Sequence, residues 1–304
     1  MRPTATRCGS TSRTGRSGTR TPSAGWPSGR PTCGSSSRIC SADDRGSRRR
    51  QNARLPIGAW TVKLEGRTAL VTGGAHRVGA RIALGLAEHG CNVVVHFHQA
   101  RAEAEDTTRS IRERGVRAAQ IQADLRDPVG VDHLFAEVDR LGWGLDVLVN
   151  SAAVLAPADL LAASLDDWSA TIDLNLRAAF LCLQAAARRM QARGEGVIVN
   201  ISDVAGRRPW RRYPIHSISK AGIDMLTRVA ALALAPTVRV NGVAPGPVEK
   251  PAGMSDERWR AIGDALPLRR PGRAADVAAA VIFLIENDYL IGETIPVDGG
   301  DAIR

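Results

Sequence analysis

The chain predicts a doubly wound α/β domain: one seven-stranded parallel sheet with helices on both faces. Short apolar runs alternate with helix-period stretches from about residue 61 to the end. Several runs, among them Val93-Val94-Val95 and Val197-Ile198-Val199, are apolar at every position. A strand covered on one face alternates with polar residues, whereas a strand covered on both does not, as in parallel sheets sandwiched by helices. In the stretch Thr68–Gly79, an apolar run meets a glycine-rich turn that opens a helix. That arrangement aims bare backbone amides and a helix N-terminus at a phosphate.

Taken in order, strands are predicted at Ala69–Thr72, Val93–Phe97, Ala118–Gln122, Val147–Asn150, Val197–Ile201, Val238–Val243 and Thr294–Val297. Helices fill about 77–89, 101–114, 129–140, 165–192, 215–235 and 274–285, with no internal repeat and no second hydrophobic unit. Residues 61–304 therefore read as a single domain. The Pro- and Gly-rich segment Pro245–Arg270 departs from the alternation and holds only a short helical piece around Asp256–Ile262. It follows the sixth strand, at the sheet end where open α/β folds bind ligands, and reads as a lid or as a plain surface loop.

The net charge of +10 belongs to the first sixty residues, where 12 arginines face only Asp43 and Asp44. Basic and acidic residues balance in the remainder, so the charge points to no nucleic-acid partner. Residues 1–60 are Ser, Thr, Gly, Pro and Arg with few aliphatics, a composition that cannot offset its ordering entropy and predicts a disordered basic extension. Three readings of it stay open: a non-native stretch from an early start with Val62 near the true beginning, an organelle transit peptide, or a basic binding arm. Cys8, Cys33, Cys40, Cys91 and Cys182 lack metal-ligand spacing and fit a reducing cytoplasm; no run is long enough for a membrane span.

The turn predicts a dinucleotide site with Gly73, Arg77, Val78 and Gly79 around the pyrophosphate. NAD sites place a carboxylate after the second strand for the ribose 2′-hydroxyl. Here that position reads His96-Phe97-His98-Gln99, with no acid before Glu103, and Arg77 can pair with a 2′-phosphate. NADP(H) is the expected cofactor.

Asn150-Ser151-Ala152-Ala153 after the fourth strand, Asn241–Gly246 after the sixth, Val297–Gly300 after the seventh, Thr72–Gly79 and Lys220 occur in order. Together they resemble the short-chain dehydrogenase/reductase family, classical type, over residues 63–304. The resemblance implies a Rossmann-type fold, hydride transfer with a nicotinamide cofactor, a small-molecule substrate, and a homotetramer built on the helices at 165–192 and 215–235. Arg77, where the family has a middle glycine, with His96–Gln99 and Ile121-Gln122-Ala123-Asp124-Leu125, is similar to the pteridine reductase branch. The likeness implies Asp124 and Leu125 at the adenine, Asn150 and Ala152 on the cofactor side of the fourth strand, and Pro245 and Gly246 near the nicotinamide.

The catalytic pair is atypical. The family's tyrosine stands four residues before its lysine, so both face the substrate; here Lys220 is preceded at that spacing by His216. Asp203 stands where the family usually has serine, as it does in the pteridine reductase branch, and also reads as a strand-end cap. Asn175 matches the family's asparagine that holds a proton-relay water. His216 admits three readings: a proton donor or electrophile, a bystander to Tyr213, or the mark of a chain that binds NADP without efficient turnover. Tyr213 and Trp210 are expected to line the substrate pocket. Arg207, Arg208, Arg211 and Arg212 read as a solvated loop or as a rim that steers an anionic substrate, such as a pterin with a charged tail or an acyl-carrier thioester. Substrate identity stays open among pterins, ketoacyl thioesters, quinones and ketones.

Overall fold

A computed structural model describes residues 63–304; the basic extension read over 1–60 lies outside the described residues. Chain order gives β1 (Thr68–Thr72), α1 (Arg77–Glu88), β2 (Asn92–Phe97), α2 (Arg101–Arg112), β3 (Ala118–Gln122), α3 (Pro128–Arg140) and β4 (Val147–Asn150). There follow α4 (Leu165–Ile172), α5 (Ala178–Arg193), β5 (Gly196–Ile201), α6 (Pro214–Leu234), β6 (Val238–Pro245), α7 (Asp256–Asp264), α8 (Ala274–Glu286) and β7 (Thr294–Val297). The strands form one parallel sheet in the order β3-β2-β1-β4-β5-β6-β7. The order reverses between β1 and β4, so their carboxyl ends open the crevice where such sheets take ligands.

The fully apolar runs divide their side chains between the two faces. Val71, Val93, Val95, Val147 and Val149 pack with α1 and α8 residues such as Ile82, Leu86, Val277 and Val281. Leu70, Val94, Leu148 and Ile198 pack on the opposite face with Leu134, Phe135, Cys182 and Met190 of α3 and α5. Each face is a separate core, which is why the central positions of these strands are apolar on both faces. Burying one such side chain stabilises the fold by about 1.5–3 kcal/mol.

The helix expected over 165–192 is interrupted. α4 ends at Ile172, a single π-helical turn covers Asp173–Arg177, and α5 begins at Ala178. No Pro or Gly marks the break, so the sequence pattern does not show it. Its cause is tertiary. Asn175, buried within the turn, accepts from the Val154 N–H at 2.8 Å and donates to the Val154 carbonyl at 3.0 Å, clamping the chain after β4. Widened turns of this kind gather at functional sites. The segment read as lid or loop carries α7 as its one helix and ends against α8.

Candidate active site

The glycine turn is built for an anion. Gly73 has φ +63°, and a Cβ there would come within 2.9 Å of Ala152 Cα; a Cβ on Gly79 would overlap the Gly73 carbonyl. Turn, helix and β4 therefore close on one another only because these positions lack side chains. The first turn of α1 holds no acid, and His76 before it provides no side-chain cap. Its amides stay open, which suits the pyrophosphate of a dinucleotide. Arg77 opens the helix at φ +55°, a left-handed conformation that favours glycine. Its Nε lies 3.6 Å from Glu249 Oε2, beyond β6. To meet a 2′-phosphate at β2 it must leave that carboxylate.

The residues after β2 divide into brace and surface. The buried His96 ring accepts from the Gly73 N–H at 3.1 Å and donates from Nε2 to the Ala123 carbonyl at 3.1 Å, tying turn, β2 and β3 together. Burial pushes its pKa down to about 4, so the ring is neutral and Nδ1 is free to accept. His96 thus shapes the turn from beneath. Phe97 and Leu125 are buried as well, so any contact Leu125 makes with adenine comes from its backbone. Asp124 is chelated by Arg126, with contacts of 2.8 to 3.2 Å, and that bonding holds its carboxyl down to about 2. His98 Nε2 stands 3.7 Å from the same carboxylate.

A cleft of about 750 Å³ opens at the carboxyl ends of the sheet and gathers the reactive residues: Asp203, His216 and Lys220, with Trp210 and Tyr213 on one wall. Arg77, Val78, Pro245 and Gly246 border it too. Asn150, Ala152 and Asn175 stand behind the wall. Asn150 donates to the Ala179 carbonyl and to Asn200 Oδ1, and Ala152 donates its N–H to Thr72 Oγ1, so both fix β4 against its neighbours. Both amide ends of Asn175 are taken up by Val154. Nδ2 also donates to Ser219 Oγ at 3.1 Å and lies 3.3 Å from His216 Nδ1, so Asn175 braces Val154, α6 and the His216 ring.

Pro214 fixes the first residue of α6 and sets the phase that turns His216 and Lys220 to one side. Lys220 donates to the Ile201 carbonyl at 2.8 Å. Burial lowers its pKa to about 8, opposed by the charges of Asp203 and Asp224. His216 Nδ1 lies 3.1 Å from the Val154 carbonyl and 3.3 Å from Asn175 Nδ2. Nε2 is buried without a partner and lies 3.6 Å from Asp203 Oδ2. Both readings of Asp203 meet in one side chain: Oδ1 caps the short turn Val204–Gly206 through the Ala205 N–H at 2.8 Å, and Oδ2 faces the imidazole. Ser202 also borders the cleft; it is buried and its hydroxyl donates to the Lys220 carbonyl at 3.2 Å. Trp210 lies edge-on to Tyr213 at 6.0 Å and parallel to His216 at 6.3 Å, giving the pocket an aromatic side.

Sequence reasoning missed the far side of the cleft. Glu249, Arg258, Trp259, Asp301 and Arg304 border it. They come from the segment after β6 and from the turn after β7, and no local pattern marks them; only their place beyond the strand ends does. Among the described residues no helix is long and apolar enough to cross a membrane, and no cluster of three or more His, Cys, Asp or Glu could hold a metal.

The comparisons with known proteins agree with this geometry. A family model described as enoyl-(acyl carrier protein) reductase matches residues 73–301. The chain is 36% identical over 247 residues to 3beta-hydroxysteroid dehydrogenase 1 of Eggerthella lenta, covering 78% of this chain and 94% of that one. It is also 36% identical over 239 residues to the 3-oxoacyl-[acyl-carrier-protein] reductase FabG of Staphylococcus aureus, covering 77% and 97%. The crystal structure of acetoin dehydrogenase from Enterobacter cloacae superposes with a TM-score of 0.72 at 36% identity, over 77% of this chain and 95% of that chain. Fold and site define a nicotinamide-dependent oxidoreductase. The chain belongs to the short-chain dehydrogenase/reductase family.

Proposed function

We propose that the protein is an NADP-dependent reductase that adds hydride and a proton to a carbonyl or a pterin-type double bond, with His216 as proton donor. The observation that carries this is the unpartnered His216 Nε2 in the cleft, beside Asp203 and one helical turn from Lys220. The bound nicotinamide supplies the hydride. Asp203 favours a proton on Nε2, Nε2 releases it to the reduced oxygen or nitrogen, and Lys220 holds the ribose side. Trp210 and Tyr213 support the substrate's flat face.

NADP is favoured over NAD because no free carboxylate stands at the end of β2; Asp124, the nearest, is committed to Arg126. The pterin alternative rests on the likeness of Arg77, His96–Gln99 and Asp203 to the pteridine reductase branch. A homotetramer in the cytoplasm completes the reading. Supporting assembly, Ile218, Met225, Val229 and Leu232 expose an apolar stripe along α6, next to exposed Leu165 and Trp168 of α4 and Phe180 of α5.

One observation favours a second reading, a weak or inactive NADP binder. If the ring gives its Nδ1 proton to the Val154 carbonyl, a neutral ring has none to give on the cleft side. The test is NADPH oxidation by the full chain against dihydropterins, quinones, diketones and ketoacyl thioesters, with NADPH binding measured in parallel. Turnover supports the reductase; binding without turnover across the panel supports the second reading.

A further inference from the structure

We infer that the substrate of this site carries an oxyanion, a carboxylate or a phosphate, held between Arg211 and Arg212 on one lip of the cleft and Arg258 on the other. The inference rests on the reductase reading and names the substrate class for it. Lys220 and six arginines border the cleft, against the carboxylates of Asp203, Glu249 and Asp301. The fold neutralises half of those arginines. Arg77 faces Glu249, and the buried Asp301 carboxylate accepts from Arg208 at 2.7 Å and Arg304 at 2.6 Å.

Arg211, Arg212 and Arg258 have no carboxylate partner among the described residues. The sequence alone grouped Arg207 and Arg208 with the first two, but the structure separates them. Arg207 donates to the Thr294 carbonyl at 2.6 Å, and Arg208 is held by Asp301. What remains is a pair of cations on the segment leading into α6 and a third on α7, all bordering one cleft.

Both lips are pinned. The Trp210 N–H donates to Ser217 Oγ at 3.1 Å, the Tyr213 N–H to the Trp210 carbonyl at 2.8 Å, and the Ala158 N–H to the Arg212 carbonyl at 3.1 Å. On α7, Ser255 caps the helix, Asp256 pairs with Lys250 and Glu257 with Arg260, so the helix's own acids lead away from Arg258. Each lip also carries a tryptophan bordering the cleft, Trp210 and Trp259. Unpaired guanidiniums gathered on one cleft repel. An oxyanion between them turns that repulsion into charge-assisted hydrogen bonds, often bidentate for arginine. The Arg212 guanidinium lies 6.0 Å from the Tyr213 ring centroid, and Tyr213 contacts Trp210, which parallels His216. The anion site thus lies on the aromatic side of the cleft, which runs from Arg212 through Tyr213 and Trp210 to His216.

The experiment compares matched pairs with the full chain and NADPH: benzoylformate against its methyl ester, and dihydroxyacetone phosphate against dihydroxyacetone. The expected result is at least a ten-fold higher kcat/KM for the charged member of one pair, expressed in KM and lost at high salt. The R211Q/R258Q double variant should bring that ratio close to one. The pair that shows the preference tells carboxylate from phosphate. Equal kcat/KM within both pairs overturns the inference, as does a ratio that survives the double substitution. If no compound is reduced, tryptophan fluorescence titration with the same four compounds decides the inference by itself. Ten-fold tighter binding of a charged member, lost in the double variant, upholds it; equal binding overturns it.

Discussion

His216 presents its unpartnered Nε2 to Asp203 Oδ2 across 3.6 Å, while Val154 holds the opposite nitrogen. The ring can therefore neither flip nor swing without losing that bond. His216→Phe keeps the ring volume and removes the proton; kcat should fall about 10²–10⁴-fold, with the NADPH Kd unchanged. His216→Tyr asks whether a phenol serves in the same place, and no gain in turnover would count against a simple replacement of one acid by another. Asp203→Asn preserves an oxygen for the Ala205 N–H but deletes the charge opposite Nε2. It should lower kcat and move the pH profile without loss of fold, read by stopped-flow kinetics across pH and by thermal melting.

Arg77 couples cofactor choice to backbone strain. Its left-handed φ of +55° costs on the order of 1 kcal/mol, which glycine would not incur. Arg77→Gly should raise the melting temperature while lowering the NADPH-over-NADH preference by about ten-fold or more, the loss of a charged hydrogen bond. Glu249→Gln releases the arginine from its half-exposed partner, and NADPH should bind up to about five-fold tighter, in keeping with the modest value of such pairs. Isothermal titration with both nucleotides checks each expectation.

His96 makes the fold acid-sensitive. Its folded pKa of about 4 lies below the ordinary 6.5, so between those values the unfolded chain binds the proton and the folded chain does not. Stability from this group is complete above about pH 6.5 and is lost as pH falls toward 4, up to about 3 kcal/mol. Urea unfolding of the native chain and of His96→Gln at pH 7 and pH 4.5 should show a smaller acid loss in the variant. Protonating the folded ring takes the acceptor from the Gly73 N–H, so NADPH affinity should weaken only as pH approaches 4.

The apolar stripe on α6 predicts assembly. Met225 is 56% exposed and Leu232 86%, more than a lone helix surface needs. Met225→Glu with Leu232→Glu should reduce the assembled species to a smaller one by light scattering, leaving the far-ultraviolet dichroism of the subunit intact. Unchanged mass would place any interface elsewhere.

The strands were legible because both faces of the sheet are covered: Val93-Val94-Val95 and Val147-Leu148-Val149 cannot be read as anything half-exposed. The glycine turn was legible because its spacing is a steric requirement. Asp203, His216 and Lys220 were placed by their intervals along one strand and one helix. What stayed hidden was decided by contacts distant in sequence. Nothing local says that His96 turns inward to the Gly73 amide, that Asn175 clamps Val154 with both ends of its amide, or that Arg208 folds onto Asp301. The cleft's far lip was invisible for the same reason, since Arg258 and Trp259 acquire meaning only from the strand end they cover.

The widened turn at Asp173–Arg177 has an evolutionary corollary. One residue adds about 100° of rotation to a helix. An in-frame loss of a single codon there would let α4 run smoothly into α5, and local propensity would welcome it. The deletion would also swing Asn175 out from under Val154, and with it the support of the His216 ring. Lineages that keep His216 in this place should therefore conserve the length of 165–193 even where its composition drifts, so that the spacing from Leu165 to Arg193 is inherited as a trait of its own.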